Sequence, residues 1–222
     1  ESSGHRYKVM VLRDFIRFRD TCTSDSTDWK ENYKSKGGEI KVDTRPPDPI
    51  PGEKKGSALN VCRVRVAMPK VPPRALYDAL HDPVYRKTWD DRMIKGYNLC
   101  QLNPHNDVGY YAGKFPWPLK NRDFCNMRSW MEFSNGEYII FNHSEPHPEC
   151  PELKEYVRAK SYLTGYYIMT DPSGGDGCVM IYLTHLDPCG SIPHSVINYA
   201  LTSQVSTTMT QLAERGEKYV TW

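Results

Sequence analysis

Arg86 and Asp90 stand four residues apart, behind a proline at position 83 that can open a helix. If the helix runs through both, they share a face and can pair. Two chemistries fit that pair. On the surface it is an ion pair worth little. In an apolar site the carboxylate would hold the guanidinium while its planar fork is offered to a phosphate or carboxylate. Spacing alone leaves both readings open.

A second set of residues is aromatic: Tyr110, Tyr111, Phe115, Trp117, Phe124, Tyr162, Tyr166 and Tyr167, all on segments of strand character. Core packing explains most such rings, but a cluster of ring faces is also what a quaternary ammonium needs for cation–π attraction. A third set, His143, His147 and Cys150 with Glu145 and Glu149 between them, has spacings that would suit a metal. Three prolines in that segment and the lack of a partner cluster argue against one. No Gly-x-Ser-x-Gly, His-Glu-x-x-His or phosphate-binding glycine loop is present, so catalysis finds no support.

The elements that would position these residues follow from hydrophobic period. Val11 to Cys22 carries Leu12, Phe15, Ile16 and Phe18 at helical spacing, as a helix packed outside a sheet would. Trp29–Lys34 and Glu39–Thr44 flank Gly37-Gly38 and read as a hairpin. Pro46–Gly56 holds four prolines and reads as a loop. Ala58–Met68 alternates as a strand, with Cys62, Val64, Val66 and Met68 on one face. Pro73–Leu80 and Pro83–Trp89 read as helices. Ile94–Leu102, Val108–Trp117, Phe124–Phe133, Glu137–Asn142, Tyr156–Met169 and Cys178–Leu186 read as strands, with Asn135-Gly136 a strong hairpin signal. From a plausible cap at Ser191, apolar positions Ile197, Leu201, Val205, Met209 and Leu212 repeat at helical period, giving a final helix of up to about 28 residues, far above the usual length. Its other side is Thr, Ser, Gln and Asn, which suits a helix covering a cavity. The class is α+β, with a large curved sheet and no βαβ alternation.

Composition narrows the rest. The chain of 222 residues is long enough for a sizeable core, and 29 Lys+Arg against 27 Asp+Glu leave a net +2. Bulk charge therefore gives no drive toward nucleic acid. No signal-peptide pattern opens the sequence and no stretch of about eighteen apolar residues exists, so neither secretion nor membrane spanning is expected. Cys22, Cys62, Cys100, Cys125, Cys150, Cys178 and Cys189 are odd in number and widely spaced, which favours reduced intracellular thiols.

Tyr85-Arg86-Lys87-Thr88-Trp89-Asp90 is followed by Tyr110-Tyr111, Phe115-Pro116-Trp117-Pro118, Asn121-Arg122-Asp123 and Asp187-Pro188-Cys189-Gly190-Ser191-Ile192-Pro193. In these motifs and their order the chain resembles a START (StAR-related lipid transfer) domain. Within that family it looks most like the phosphatidylcholine transfer protein branch, including a relative that also carries phosphatidylethanolamine. The resemblance implies one domain over 1–222 with a helix-grip fold: a curved antiparallel sheet of about nine strands around the C-terminal helix, with an internal lipid tunnel.

It also implies a non-enzymatic, cytoplasmic carrier that touches membranes transiently, works as a monomer, and needs neither cofactor nor nucleic acid. The expected ligand is phosphatidylcholine or phosphatidylethanolamine. Carried over residue by residue, Arg86 looks like the phosphate-binding group and Asp90 its partner, while Thr164 stands where a Gln lies near the phosphate. Tyr111, Phe124 and Tyr162 fall at the three aromatic positions around choline, where the phosphatidylcholine carrier has Trp, Tyr and Tyr. A lipid in a closed tunnel needs an exit, so the turn Gly190, Ser191, Ile192 and Pro193 with the start of the last helix is the expected gate. A lipid-sensing module without transfer and a helix-grip enzyme are the alternatives.

Overall fold

In the computed structural model of the chain, residues 7–48, 59–115 and 119–222 are described, apart from the side chains of 194, 195 and 198–207. Helices are α1 (Leu12–Thr23), α2 (Pro73–His81), α3 (Pro83–Trp89) and α4 (His194–Tyr219). Strands are β1 (Lys30–Lys34), β2 (Ile40–Arg45), β3 (Val61–Met68), β4 (Met93–Asn103), β5 (Asn106–Gly113), β6 (Arg122–Glu132), β7 (Tyr138–Ser144), β8 (Val157–Arg158), β9 (Lys160–Thr170) and β10 (Cys178–Asp187). They form one ten-stranded sheet in the order β1-β2-β3-β10-β9-β7-β6-β5-β4, and β8 adds to β6 as the parallel partner. This is the α+β helix-grip architecture expected from the sequence.

Each boundary has a local cause. Asp82 accepts hydrogen bonds from the amides of Val84 and Tyr85 at 2.8 and 2.9 Å and so caps α3, whose first residue is Pro83. Gly136 adopts φ 80°, which lets the β6–β7 hairpin turn. Ser191 does not cap α4: the cap position is Pro193 and has no side-chain cap bond. The long strand expected over Tyr156–Met169 breaks at Ala159 into β8, on β6, and β9, on β7 and β10. Most of the Pro46–Gly56 segment and Trp117 lie outside the described residues.

Period-2 alternation sorts the side chains onto two faces. The convex face packs Val61, Ile139, Phe141, Tyr167, Ile181 and Leu183 against Phe15, Phe18 and Cys22 of α1. The concave face carries Val64, Val66, Met68, Ile168 and Met180, met by Leu76 and Tyr77 of α2 and by Met209 and Leu212 of α4. Gly165 is required at the crossing of β7 and β9, because a Cβ there would stand 2.3 Å from the Ile140 carbonyl oxygen and 2.6 Å from the Phe141 Cα. Backbone cannot yield as a side chain does, so Gly165→Ala is expected to lower unfolding free energy by about 3 kcal/mol, the upper end for overpacking. A urea midpoint indistinguishable from wild type would contradict this.

Candidate functional site

On strands β6, β7 and β9 the usual burial is inverted. Convex-facing Cys125, Met127, Ile139, Phe141 and Tyr167 are buried, whereas Phe124, Asn126, Trp130, Ile140, Asn142, Thr164 and Tyr166 on the concave face keep accessible surface. These strands lie inside the sheet with α2 packed over them, so open bulk solvent does not explain that exposure. Tyr166 and Tyr182 are the sharpest case, deep among protein atoms yet partly accessible. They line an internal void between the concave face and the helices.

Arg86 and Asp90 face this void from the opposite wall. The α3 backbone carries them one turn apart, with the Asp90 amide donating to the Arg86 carbonyl at 2.9 Å. Helix α3 is itself tied to α4, since the Tyr85 hydroxyl donates to the Arg215 carbonyl at 2.5 Å and the Tyr85 ring meets that of Tyr219. Arg86 Nε lies 3.7 Å from Asp90 Oδ2, an ion pair too long for a good hydrogen bond, and that buried nitrogen has no acceptor among the described residues. Buried guanidinium donors are normally satisfied. The geometry therefore presents a positive group, held by Asp90 and resting 5.3 Å over the Trp89 ring, with donor capacity left for an anionic ligand.

Tyr111 closes one side. Its hydroxyl donates to Asp90, at 3.3 Å from Oδ2, and burial together with that carboxylate pushes its pKa well up, against the opposing pull of Arg86. The phenol stays protonated and shares Asp90 with Arg86. Phe124 pairs with Tyr111 across β5 and β6, with ring centroids 6.2 Å apart and planes inclined by 52°. A cavity of about 190 Å³ lined by Trp89, Asp90, Asp91, Arg92, Thr208 and Gln211 runs from Asp90 toward α4.

Thr164 faces the concave side and Tyr162 does not. The β9–β10 ladder skips Tyr162: Leu163 faces His185 and Ser161 faces Leu186. At this bulge Tyr162 stacks on His185, with centroids 4.5 Å apart, and receives the Lys160 ammonium at 4.4 Å. His185 follows inward Thr184 and pairs with Leu163 of the convex cluster, so Tyr162 sits on the side of the sheet away from Arg86. Strict alternation from Thr164 would have turned it inward.

Apart from Thr164, sequence reading also missed a polar band. Asp107, Arg128, Asn142, Thr164 and Thr184 are successive neighbours across β5, β6, β7, β9 and β10 on the concave face. Thr164 and Thr184 hydroxyls are 2.9 Å apart, Ser161 donates to Thr164 and to Asn142 Oδ1 at 3.1 Å each, and Asn126 donates to Asn142 Oδ1 at 3.0 Å. At the end of the band Arg128 Nε donates to Asp107 Oδ1 at 2.7 Å. In sequence these residues resemble the solvent-facing half of an amphipathic strand, and only strand order shows them lining an interior.

The expected gate divides in two. Arg122, 2% exposed, donates from Nε to the Pro188 carbonyl and from Nη2 to the Cys189 carbonyl, both at 2.9 Å, and from Nη1 to the Lys120 carbonyl. Its Cζ lies 4.8 Å over the Phe115 ring. The turn up to Gly190 is thus clamped, with Cys189 at φ 52° and Gly190 at φ 82° making the left-handed reversal. Ser191, Ile192 and Pro193 beyond it keep accessible surface and lead into α4.

The metal-like spacing does not assemble. His143 Nε2 lies 3.8 Å from Glu145, the His147 ring stacks on Tyr7, and Cys150 lies against Arg158. All seven cysteines are free thiols. Among the described residues no helix is long and apolar enough to cross a membrane.

The START domain profile matches residues 17–220. START domain-containing protein 10 of Mus musculus is 36% identical over 210 residues, covering 95% of this chain and 68% of that protein. The phosphatidylcholine transfer protein of Bos taurus is 30% identical over 151 residues, 66% of this chain and 68% of that protein. Among solved structures, that of human STARD10 superposes with a TM-score of 0.85 at 35% identity, covering 97% of this chain and 83% of that one.

Proposed function

The chain belongs to the START domain family, in its phosphatidylcholine transfer protein-like branch, and on that premise we propose that it binds one glycerophospholipid and moves it between membranes. The ligand is phosphatidylcholine or phosphatidylethanolamine, the protein works as a monomer in the cytoplasm, and its membrane contact is transient. The reading is of a carrier, not an enzyme. It covers residues 1–222 as one lipid-binding domain.

The observation that carries this reading is the Arg86 guanidinium, held by Asp90 at 3.7 Å beside an internal void, with a buried Nε that no described acceptor satisfies. A lipid phosphate supplies the missing acceptors, and the charge-assisted bonds offset the cost of taking the phosphate out of water. Asp90 keeps the guanidinium in place when the site is empty. Tyr111 and Phe124 offer ring surface to the head group, and Thr164 borders the phosphate. Acyl chains then run along the apolar concave face below, where burial contributes about 25 cal/mol per Å². Gly190 is the fixed end of the gate and Ser191–Pro193 with the start of α4 its moving part.

Native mass spectrometry of the purified protein, followed by extraction of what comes off, tests the reading: a glycerophospholipid in one-to-one ratio is expected. A sterol or fatty acid instead, or a protein that refuses phospholipid vesicles altogether, overturns it. The gate has its own test. An engineered disulfide tying the Ser191–Pro193 turn to the sheet is expected to stop transfer between donor and acceptor vesicles, with recovery on reduction. Unimpaired transfer by the crosslinked protein would rule the gate out.

A further inference from the structure

Helix α3 presents two stripes. Arg86 and Asp90 face the void, while Tyr85 and Trp89, also four residues apart, are buried on the side toward α4. We infer that Tyr85 is a positioning residue for the anion site: by clasping the C-terminal end of α4 it fixes α3, and so sets where the Arg86 guanidinium stands. This deepens the phospholipid reading above and rests on it.

Three observations lead here. First, the partners that hold Arg86 travel with it. Its ion contact, at 3.7 Å, is to Asp90 at the end of the same helix, and its Cζ rests 5.3 Å over Trp89 of that helix. The guanidinium is therefore only as well placed as the α3 backbone. A helix of seven residues is too short to be stable by itself in water, so contacts from other elements must fix it.

Second, those contacts converge on Tyr85. Its hydroxyl donates to the Arg215 carbonyl at 2.5 Å, and its ring meets that of Tyr219 at 4.8 Å and that of Trp222 at 5.1 Å, both edge-on. Burial pushes the phenol pKa up, so the proton it donates stays in place. Asp82 adds a second tie: Oδ1 accepts the Val84 and Tyr85 amides, while Oδ2 lies 3.5 Å from the Tyr219 hydroxyl. One carboxylate and three rings thus join the start of α3 to the end of α4.

Third, the end of α4 that Tyr85 holds is itself firmly seated. Gly216 lets it approach closely, since a Cβ there would stand 3.0 Å from Val71 Cγ1 and 3.5 Å from Leu76 Cδ1. Leu212 and Met209 continue that packing toward the middle of the helix. At the other end of α3 the fit is looser: Trp89 shares the cavity of about 190 Å³ with Thr208 and Gln211 of α4. Tyr85 is therefore the tight contact of the pair, and it adjoins Arg86 in the chain.

The test offers the protein vesicles doped with phosphatidylcholine or with diacylglycerol of the same acyl chains, which lacks the phosphate. Tyr85→Phe keeps the ring contacts and removes the 2.5 Å hydrogen bond. It is expected to lower phosphatidylcholine retention about fivefold, the worth of one ordinary hydrogen bond, and to leave diacylglycerol retention within about twofold. In an Arg86→Leu background no guanidinium remains to be placed, so the same change should there cost less than about twofold. A loss shared by both lipids, or the full loss repeated without Arg86, means that Tyr85 only supports the fold and overturns the inference. Phosphatidylcholine retention by Tyr85→Phe equal to wild type overturns it as well. Wild-type protein that retains no phosphatidylcholine would instead remove the phospholipid reading itself.

Discussion

Arg86→Leu is expected to lower phospholipid uptake by about a hundredfold or more, two charge-assisted hydrogen bonds at roughly 1.5–3 kcal/mol each, while leaving the protein folded. Leucine keeps apolar bulk beside Trp89 but offers the phosphate nothing. The fold survives because, among the described residues, the Arg86 side chain makes no hydrogen bond beside its 3.7 Å ion contact, and it is 30% exposed. Asp90 keeps other partners: the Tyr111 hydroxyl and the Met93 amide, which donates to Oδ1 at 3.1 Å. Loss of a partly exposed pair at that distance costs about 1 kcal/mol or less. Arg86→Lys should fall between, since an ammonium keeps the charge and loses the fork. Uptake by the leucine variant within about threefold of wild type, well under the value of one such bond, would sink the phosphate assignment.

Asp123→Ala carries the largest expected cost in stability, about 3–5 kcal/mol, because it strips a buried cation of its partner. Asp123 is 1% exposed and accepts from Arg158 Nε at 3.0 Å and Nη2 at 2.9 Å, a two-pronged pair. Its presence holds the Arg158 pKa above the usual arginine value. Arg158 in turn donates to the carbonyls of Cys150 and Pro151, so the pair fastens the segment before β8 to the start of β6. That is the same end of β6 at which Arg122 clamps the turn at Pro188 and Cys189. Urea unfolding reads the effect directly: a midpoint shift worth under about 1 kcal/mol would mean that the guanidinium finds other acceptors.

Much of this was legible from residue order. The strand Ala58–Met68 put Cys62, Val64, Val66 and Met68 on one face, and those four line the concave core. The run from Cys178 looked buried on both sides because α1 covers Ile181 and Leu183 on one face of β10 while α2 and α4 cover Cys178 and Met180 on the other. Arg86 and Asp90 could be set on one face of a short helix because four residues make about one turn. In each case the signal is local: a period, a proline or a glycine decides it within a few residues.

The sequence by itself determined the element types, the α+β class and the Arg86–Asp90 pairing distance along the chain, since backbone geometry and hydrophobic period act over one or two turns. It could not decide between an exposed ion pair and an interior one. That choice depends on what packs against α3, and Tyr111, Tyr166 and Arg215 are far away in sequence. Only the tertiary structure turned Asn126 and Asn142 inward to a void, because strand order, not alternation, says which polar face meets helices. It alone moved Tyr162 to the convex side: one bulged residue in β9 reverses a side chain, and the partner that reveals the bulge, His185, lies on another strand.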